Sequence, residues 1–158
     1  MGTDDRGDAA AALADPVLAR LQALVERCAR AGIACAAIAP AQAAGLVRPL
    51  AEFPYRDERV DWGGIEGGVC ASWDDAAQHD ALLAEALAAC AKAGPVALIW
   101  NAHHGGLSVD RAEAVALARL LEDEASEFWL VPMAGPNWLI EWSVYDGELC
   151  YLPRLPAI

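Results

Sequence analysis

The stretch from 138 to 151 constrains the fold of this chain more than any other part. Its first eight residues alternate between two sets of side chains with period two, which indicates a strand with two unlike faces. Asp146-Gly147 follows, and this dipeptide is the strongest short-range signal of a β-hairpin. A two-residue turn there would pair Trp142 with Tyr151. The chain must therefore build a sheet that ends in a C-terminal hairpin.

Upstream of the hairpin, segments with strand and helix patterns alternate along the chain. Apolar runs of strand length lie at 33–39, 69–71, 96–100 and 128–131. Helical periodicity lies at 16–31, 73–93 and 111–121. This order predicts an α/β fold, with α+β as the alternative: a mixed β-sheet covered by about three helices. We expect residues 1–14 to be a flexible leader and 15–158 to form a single globular domain.

Local signals define where the helices begin. Asp15-Pro16 predicts an N-cap followed by a proline in the first helical position. Ser72 with Asp75 matches a capping box, and Asp110 begins a second one. Residues 41–67 are punctuated by prolines and glycines, so we expect a loop there with one short strand near 59–62.

Acidic charge is concentrated in one part of the chain. Residues 1–60 contain eight acidic and seven basic side chains, whereas residues 61–158 contain fifteen acidic and four basic ones. An acidic excess repels nucleic acid and anionic membranes, so neither is expected as a direct partner. It favours a basic partner, although acidic surfaces also serve solubility.

Two further features bear on the cellular compartment. The first residues carry Asp4, Asp5 and Asp8, the wrong charge for a secretion signal, so a cytoplasmic location is expected. The cysteines are odd in number and no C-x-x-C motif occurs, which favours buried, reduced thiols. They are Cys28, Cys35, Cys70, Cys90 and Cys150.

One segment has the composition of an active site. His103 and His104 follow an apolar strand and precede Gly105-Gly106, so they are expected at the carboxyl end of a strand. No third metal ligand stands at a recognisable spacing from them, and His79 is expected to be solvated. We predict no catalytic residue, no metal and no cofactor. A small cytosolic enzyme using His103 or His104 remains an alternative.

Several acids and tryptophans have no evident structural purpose in the sequence. Acids near the end of a helix oppose its dipole, and a tryptophan beside carboxylates has the composition of an interface hot spot. A solvated surface is the alternative explanation for the acids. The candidate partner-binding residues are Asp61, Trp62, Glu66, Trp73, Glu122, Asp123, Glu124, Glu127 and Glu141.

A small, strongly acidic, tryptophan-rich domain without a catalytic motif resembles the bacterial toxin-immunity proteins of contact-dependent growth inhibition. The likeness lies in the acids of 61–158, in Trp62 and Trp73, and in the Asp146-Gly147 hairpin. It implies tight binding to a basic toxin domain, such as a nuclease, rather than catalysis. An adaptor that adds a partner strand to the hairpin edge at Tyr151 is a third hypothesis.

Overall fold

Along the part of the chain that the structure describes, α-helices separate groups of one to three consecutive strands. The computed structural model describes residues 5–57, 59–90, 94–135 and 137–155. Its α-helices are α1 (Asp5–Arg30), α2 (Pro40–Val47), α3 (Ala76–Cys90) and α4 (Ala114–Leu120). Its strands are β1 (Cys35–Ile38), β2 (Tyr55–Arg56), β3 (Arg59–Val60), β4 (Val69–Ser72), β5 (Pro95–Asn101), β6 (Gly105–Asp110), β7 (Glu127–Pro132), β8 (Leu139–Ser143) and β9 (Glu148–Leu152). None of these helices combines the length and apolarity needed to cross a membrane.

Seven strands form one sheet in the order β1-β6-β5-β7-β8-β9-β4, and β2 pairs with β3 in a separate hairpin. The prediction of a single α/β domain with a C-terminal hairpin is confirmed. The sheet is antiparallel at every pairing, however, rather than mixed. The reason is β6, a strand the sequence patterns did not predict. It returns the chain directly beside β5, so no helix crosses over between these neighbours.

Two glycines allow β6 to lie between β1 and β5. A Cβ atom on Gly105 would lie 2.3 Å from the carbonyl oxygen of Ile38, and one on Gly106 would lie 2.5 Å from that of Leu98. Both distances are below any tolerable contact, so a larger residue would push the strands apart. Glycine is depleted in strands generally, which is why this segment resembles a loop in the sequence.

The two faces of the sheet are covered by different elements. Leu98, Leu130 and Trp142 point towards α1, α3 and α4 and belong to the first core. Ile99 and Val131, on the opposite face, belong to a second core with residues of α2 and β3. Side chains alternate between faces along a strand, so each central strand is buried on both sides.

Two helices differ from the sequence prediction. Helix α1 begins at Asp5, and Pro16 lies inside it rather than in its first turn. The alanine-rich residues before Asp15 have high helix propensity, which extends the helix upstream. The expected leader thus falls partly in α1, and its residues 1–4 lie outside the described ones. Helix α2 occupies part of the predicted loop, with Pro40 in its first turn, where proline costs no hydrogen bond.

The cap of α3 lies three residues later than predicted. Asp75 accepts a hydrogen bond from the backbone N–H of Gln78 at 2.8 Å, and the Gln78 side chain accepts one from the N–H of Asp74 at 2.6 Å. Ser72 is instead the last residue of β4. The predicted cap at Asp110 is confirmed, because its carboxylate accepts from the N–H of Ala112.

The C-terminal hairpin has a longer loop than a two-residue turn. Trp142 faces Leu149 and Ile140 faces Tyr151, so the register is shifted by two residues from the prediction. The N–H of Gly147 donates to the carbonyl of Ser143, which closes a four-residue loop. A shift of two preserves the face on which each side chain lies.

A disulfide corrects the expectation that all five cysteines are reduced. Cys70 and Cys150 are directly opposite on β4 and β9 and are covalently joined. Because these strands are 80 residues apart in sequence, nothing local indicates the pair. Of the other three, Cys28 and Cys90 are buried, and Cys35 is half-buried with a pKa raised to about 12 by burial and the neighbouring Cys28 thiol.

The adaptor hypothesis requires a free edge at Tyr151, but that side of the hairpin is already paired with β4. Tyr151 lies on β9, and β4 pairs with the outer side of β9 through Val69. The strand at this edge of the sheet is therefore β4. A proline at Tyr151 would break an internal ladder rather than remove a docking edge.

Candidate partner-binding face

Two open cavities lie on the second face of the sheet, beneath α2 and the β2–β3 hairpin. The larger, which we call the cleft, has a volume of about 690 Å³. Its lining includes Ala44, Arg48, Tyr55, Trp100, Asn101, Glu127, Trp129 and Glu141. The second, which we call the groove, has a volume of about 570 Å³. Its lining includes Arg56, Asp57, Arg59, Asp61, Trp62, Glu127, Asp146 and Glu148.

The buried carboxylate of Glu141 lines the cleft and contacts two residues of the groove, Trp62 and Arg59. Glu141 is 1% exposed, on β8, directly opposite Trp129 of β7. Its two oxygens accept hydrogen bonds from indole N–H groups, one from Trp62 at 3.0 Å and one from Trp129. The Nε atom of Arg59 lies 3.8 Å away. A buried carboxylate requires such partners, since an unpaired one would cost several kcal/mol, roughly, in lost hydration.

Arg59 joins the two hairpins of this face. Its side chain is 14% exposed, and Nη1 donates to Asp146 at 2.8 Å in the β8–β9 loop. Its Nη2 lies 3.7 Å from Glu148. One guanidinium thus serves three carboxylates, counting Glu141. The cluster keeps a negative excess even after its ion pairs are made.

The charges of the cleft and the groove sum to an acidic surface. Six carboxylates line the two cavities, against three guanidinium groups. The carboxylates are Asp57, Asp61, Glu127, Glu141, Asp146 and Glu148, and the guanidinium groups are Arg48, Arg56 and Arg59. At the cleft wall, burial and, secondarily, the charge of Glu141 raise the pKa of Tyr55.

Four of the nine sequence-predicted residues meet on this face. They are Asp61, Trp62, Glu127 and Glu141. Glu141 is buried, however, so its charge can attract a partner electrostatically but its carboxylate is not exposed for direct contact. Glu66 is exposed in the loop before β4 and does not line either cavity.

Sequence reasoning missed the basic and hairpin residues of this face. The proline- and glycine-rich pattern of 41–67 gives no indication that Arg59 is buried, and Asp146 has only the pattern of a turn residue. The one available signal was Arg59 at the start of the short strand expected near 59–62.

The acidic run 122–124 is placed elsewhere, at the end of α4 beside α1. Glu124 is 11% exposed and accepts hydrogen bonds from Arg20 and from Arg27, the latter at 3.1 Å. Asp123 is 64% exposed and lies 3.3 Å from Arg27. Arg27 also donates to the carbonyl of Leu120. Asp123 and Glu124 therefore join the end of α4 to α1, and these ion pairs offset their unfavourable position at the negative end of the α4 dipole.

Reversing the charge of Glu124 should break its ion pairs with Arg20 and Arg27 and weaken the packing of α1 against the end of α4. We expect Glu124→Lys to lower the free energy of unfolding by about 2 kcal/mol, because it replaces charged hydrogen bonds with repulsion from two arginines. Glu122→Lys, at an exposed neighbour, should change it by no more than about 0.5 kcal/mol. Urea denaturation measures both. Equal effects of the two variants would contradict a structural role for Glu124.

Trp73 and His79 belong to the opposite face. Their rings meet edge to face with centroids 4.6 Å apart, and His79 also approaches Trp142. His79 is 8% exposed, so the expectation that it is solvated is wrong. It lies on the inner side of α3, where burial lowers its pKa. Trp73 is a half-buried cover of the first core and lies away from the cleft and groove.

The two adjacent histidines lie in the turn Ala102–His104 between β5 and β6. Both are exposed, as expected of the carboxyl end of a strand. Within the described residues, neither imidazole has a hydrogen bond or ion pair to a carboxylate that would make it a general base. Because β5 has antiparallel neighbours, β6 and β7 begin rather than end here. In the part of the chain that the structure describes, neither histidine belongs to a group of three or more side chains that could hold a metal ion.

Among the residues that the structure describes, one group of side chains has donor atoms close enough for a metal ion. The atoms of Cys70, Cys150 and Glu148 lie within 4.8 Å of one another. In the disulfide, however, both sulfur atoms are bonded to each other, so the thiolate ligands that a metal requires are not present.

No protein-family model matches the chain, and no curated protein or solved structure was found to be similar to it.

Proposed function

We propose that this protein binds a basic protein partner through the cleft and the groove, and that it is an immunity protein which neutralises a toxin domain. The observation that carries the proposal is the excess of carboxylates on the face that contains the cleft and the groove, six against three guanidinium groups. Acidic charge on a surface can serve solubility alone, but these carboxylates are concentrated in two concave cavities, where a partner can bind. Concave low-dielectric walls focus such a field.

Aromatic side chains on this face can contribute binding energy to a basic partner that the carboxylates attract. Tyr55 is 43% exposed at the cleft wall, and Trp62 is half-buried beside the groove. Tyrosine and tryptophan are the residue types that dominate binding energy at interfaces. Acids around an aromatic centre suit a partner rich in arginine and lysine.

A nuclease toxin has the complementary surface. Its phosphate-binding groups are basic and must remain accessible to nucleic acid. An acidic protein face that covers them competes with the substrate directly. Opposite charges also accelerate association, and an immunity protein must capture its target before the target acts.

The proposal predicts a strongly salt-dependent association rate. The partner to test is the product of the reading frame next to this chain's gene, which the proposal requires to end in a basic toxin domain. By stopped-flow tryptophan fluorescence, kon should fall at least about 10-fold as the salt concentration rises from 50 to 500 mM, because ions screen the attraction. Growth of cells expressing the toxin domain should be restored by co-expression of this chain. Failure of protection, or a salt-independent rate, would overturn the proposal.

Two double variants, matched in the charge they remove, test whether the acidic groups of this face determine the association rate. Asp57→Asn with Asp61→Asn removes two charges from the groove, and asparagine tolerates the positive φ of 52° at Asp57. Glu26→Gln with Glu85→Gln removes two exposed charges outside the cavities. The first pair should slow association several-fold more than the second. Equal slowing would show that net charge, and not this face, steers the partner.

A further inference from the structure

The cleft differs from the groove in how its walls are built. Four aromatic residues line it, and two carboxylates, Glu127 and Glu141, lie among them; the aromatic residues are Tyr55, Trp100, Phe128 and Trp129. Its volume of about 690 Å³ is in the range of pockets that enclose a small ligand. An anionic cavity with aromatic walls has the chemistry that selects an organic cation.

The carboxylate at the base of the cleft is fixed and poorly hydrated. Glu141 is 1% exposed and is held by two indole groups, so its charge does not move or become solvated when a ligand enters. Arg48, the guanidinium that lines the cleft, is exposed, so solvent screens its charge more than that of Glu141. Arg59 lies 3.8 Å from Glu141 and offsets part of its charge, but Arg59 is itself shared with Asp146 and Glu148. A cation in the cleft therefore experiences a net attraction.

We propose that the cleft binds one arginine side chain of the partner, with its guanidinium directed towards Glu127 and Glu141 and its plane against the aromatic walls. Arginine fits better than lysine, because its flat, weakly hydrated group stacks on aromatic rings. This inference rests on the proposed function and deepens it. It identifies a specific anchor where the proposed function requires only a basic surface.

The experiment uses the isolated protein and a defined probe. The probe is the peptide acetyl-Ala-Ala-Arg-Ala-Ala-amide, and its control has citrulline, a neutral isostere, in place of arginine. Binding is followed by NMR of the tryptophan indole N–H groups. The arginine peptide should shift the Trp129 signal, with affinity at least about 10-fold above that of the citrulline peptide. The signals of Trp138 and Trp142, in the first core, should not move.

Two variants on one helix test the location. Ala44 lines the cleft, and Ala41 is exposed on α2 outside it. Ala44→Phe should fill the cleft and abolish the shift, whereas Ala41→Phe should leave it intact. If Ala44→Phe is unfolded by circular dichroism, Glu127→Gln replaces it and should weaken the binding several-fold.

The outcomes separate this inference from the proposed function. Equal binding of the two peptides, no shift of Trp129, or a shift that survives Ala44→Phe each overturns the arginine site. If the toxin domain binds and the arginine peptide does not, the inference fails alone. If the peptide binds in the cleft and the toxin domain does not bind, the proposed function fails alone.

Discussion

Replacing Glu141 with alanine should lower the free energy of unfolding by about 3–5 kcal/mol, the usual cost of removing one partner from a buried ion pair. The change leaves the indole N–H groups of Trp62 and Trp129 without an acceptor, and it leaves Arg59 without its innermost carboxylate. Urea denaturation, followed by circular dichroism and tryptophan fluorescence, measures the loss.

Two further variants define the cause. Glu141→Gln keeps one carbonyl oxygen as an acceptor but removes the charge, so its loss should be about half that of alanine. Glu85→Ala removes an exposed carboxylate on α3 and should stay within about 0.5 kcal/mol of the wild type. A loss below about 1 kcal/mol for Glu141→Ala would mean that the carboxylate does not organise this face.

Reduction of the Cys70–Cys150 disulfide should lower the free energy of unfolding by about 4 kcal/mol. The bond closes a loop of 80 residues, and its entropic effect on the unfolded chain grows with loop length. It also fastens the edge strand β4 to β9. The unfolding midpoint in urea, compared with and without a phosphine reductant, measures the effect.

Cysteine variants distinguish this bond from a general effect of the reductant. The variant Cys70→Ser with Cys150→Ser should have the lower stability from the start and should not respond to reductant. Cys35→Ala, which retains the disulfide, should respond as the wild type does. A wild-type midpoint unaffected by reductant under conditions that break the bond would contradict the prediction.

The parts of the fold that could be predicted from the sequence are those whose signal is local. The strands around Leu98 and Leu130 were recognisable because both faces of each are buried, which leaves continuous apolar runs. The faces of Trp142 and Tyr151 were assigned correctly although the hairpin register was wrong, since a shift of two residues preserves side-chain parity.

The remainder depends on contacts between residues far apart in the chain. An acid at position 141 of an alternating strand indicates a solvated face, yet the β2–β3 hairpin and Trp62, 79 residues earlier, cover that face. Gly105 and Gly106 have the pattern of a loop in the sequence, but in the structure they are strand residues that allow the backbones of Ile38 and Leu98 to approach closely. For the same reason, the sequence does not indicate that Glu124 is paired with Arg20 and Arg27 of α1, about 100 residues earlier in the chain.

The two outermost strands of the sheet, β1 and β4, have a consequence for how molecules of this protein meet one another. Each is only four residues long, and β4 is tied to its neighbour by a covalent bond. Unpaired N–H and C=O groups at such borders are where sheets from separate chains join and aggregation begins. Short borders present few of these groups, so the protein offers other chains little backbone on which to grow a shared sheet.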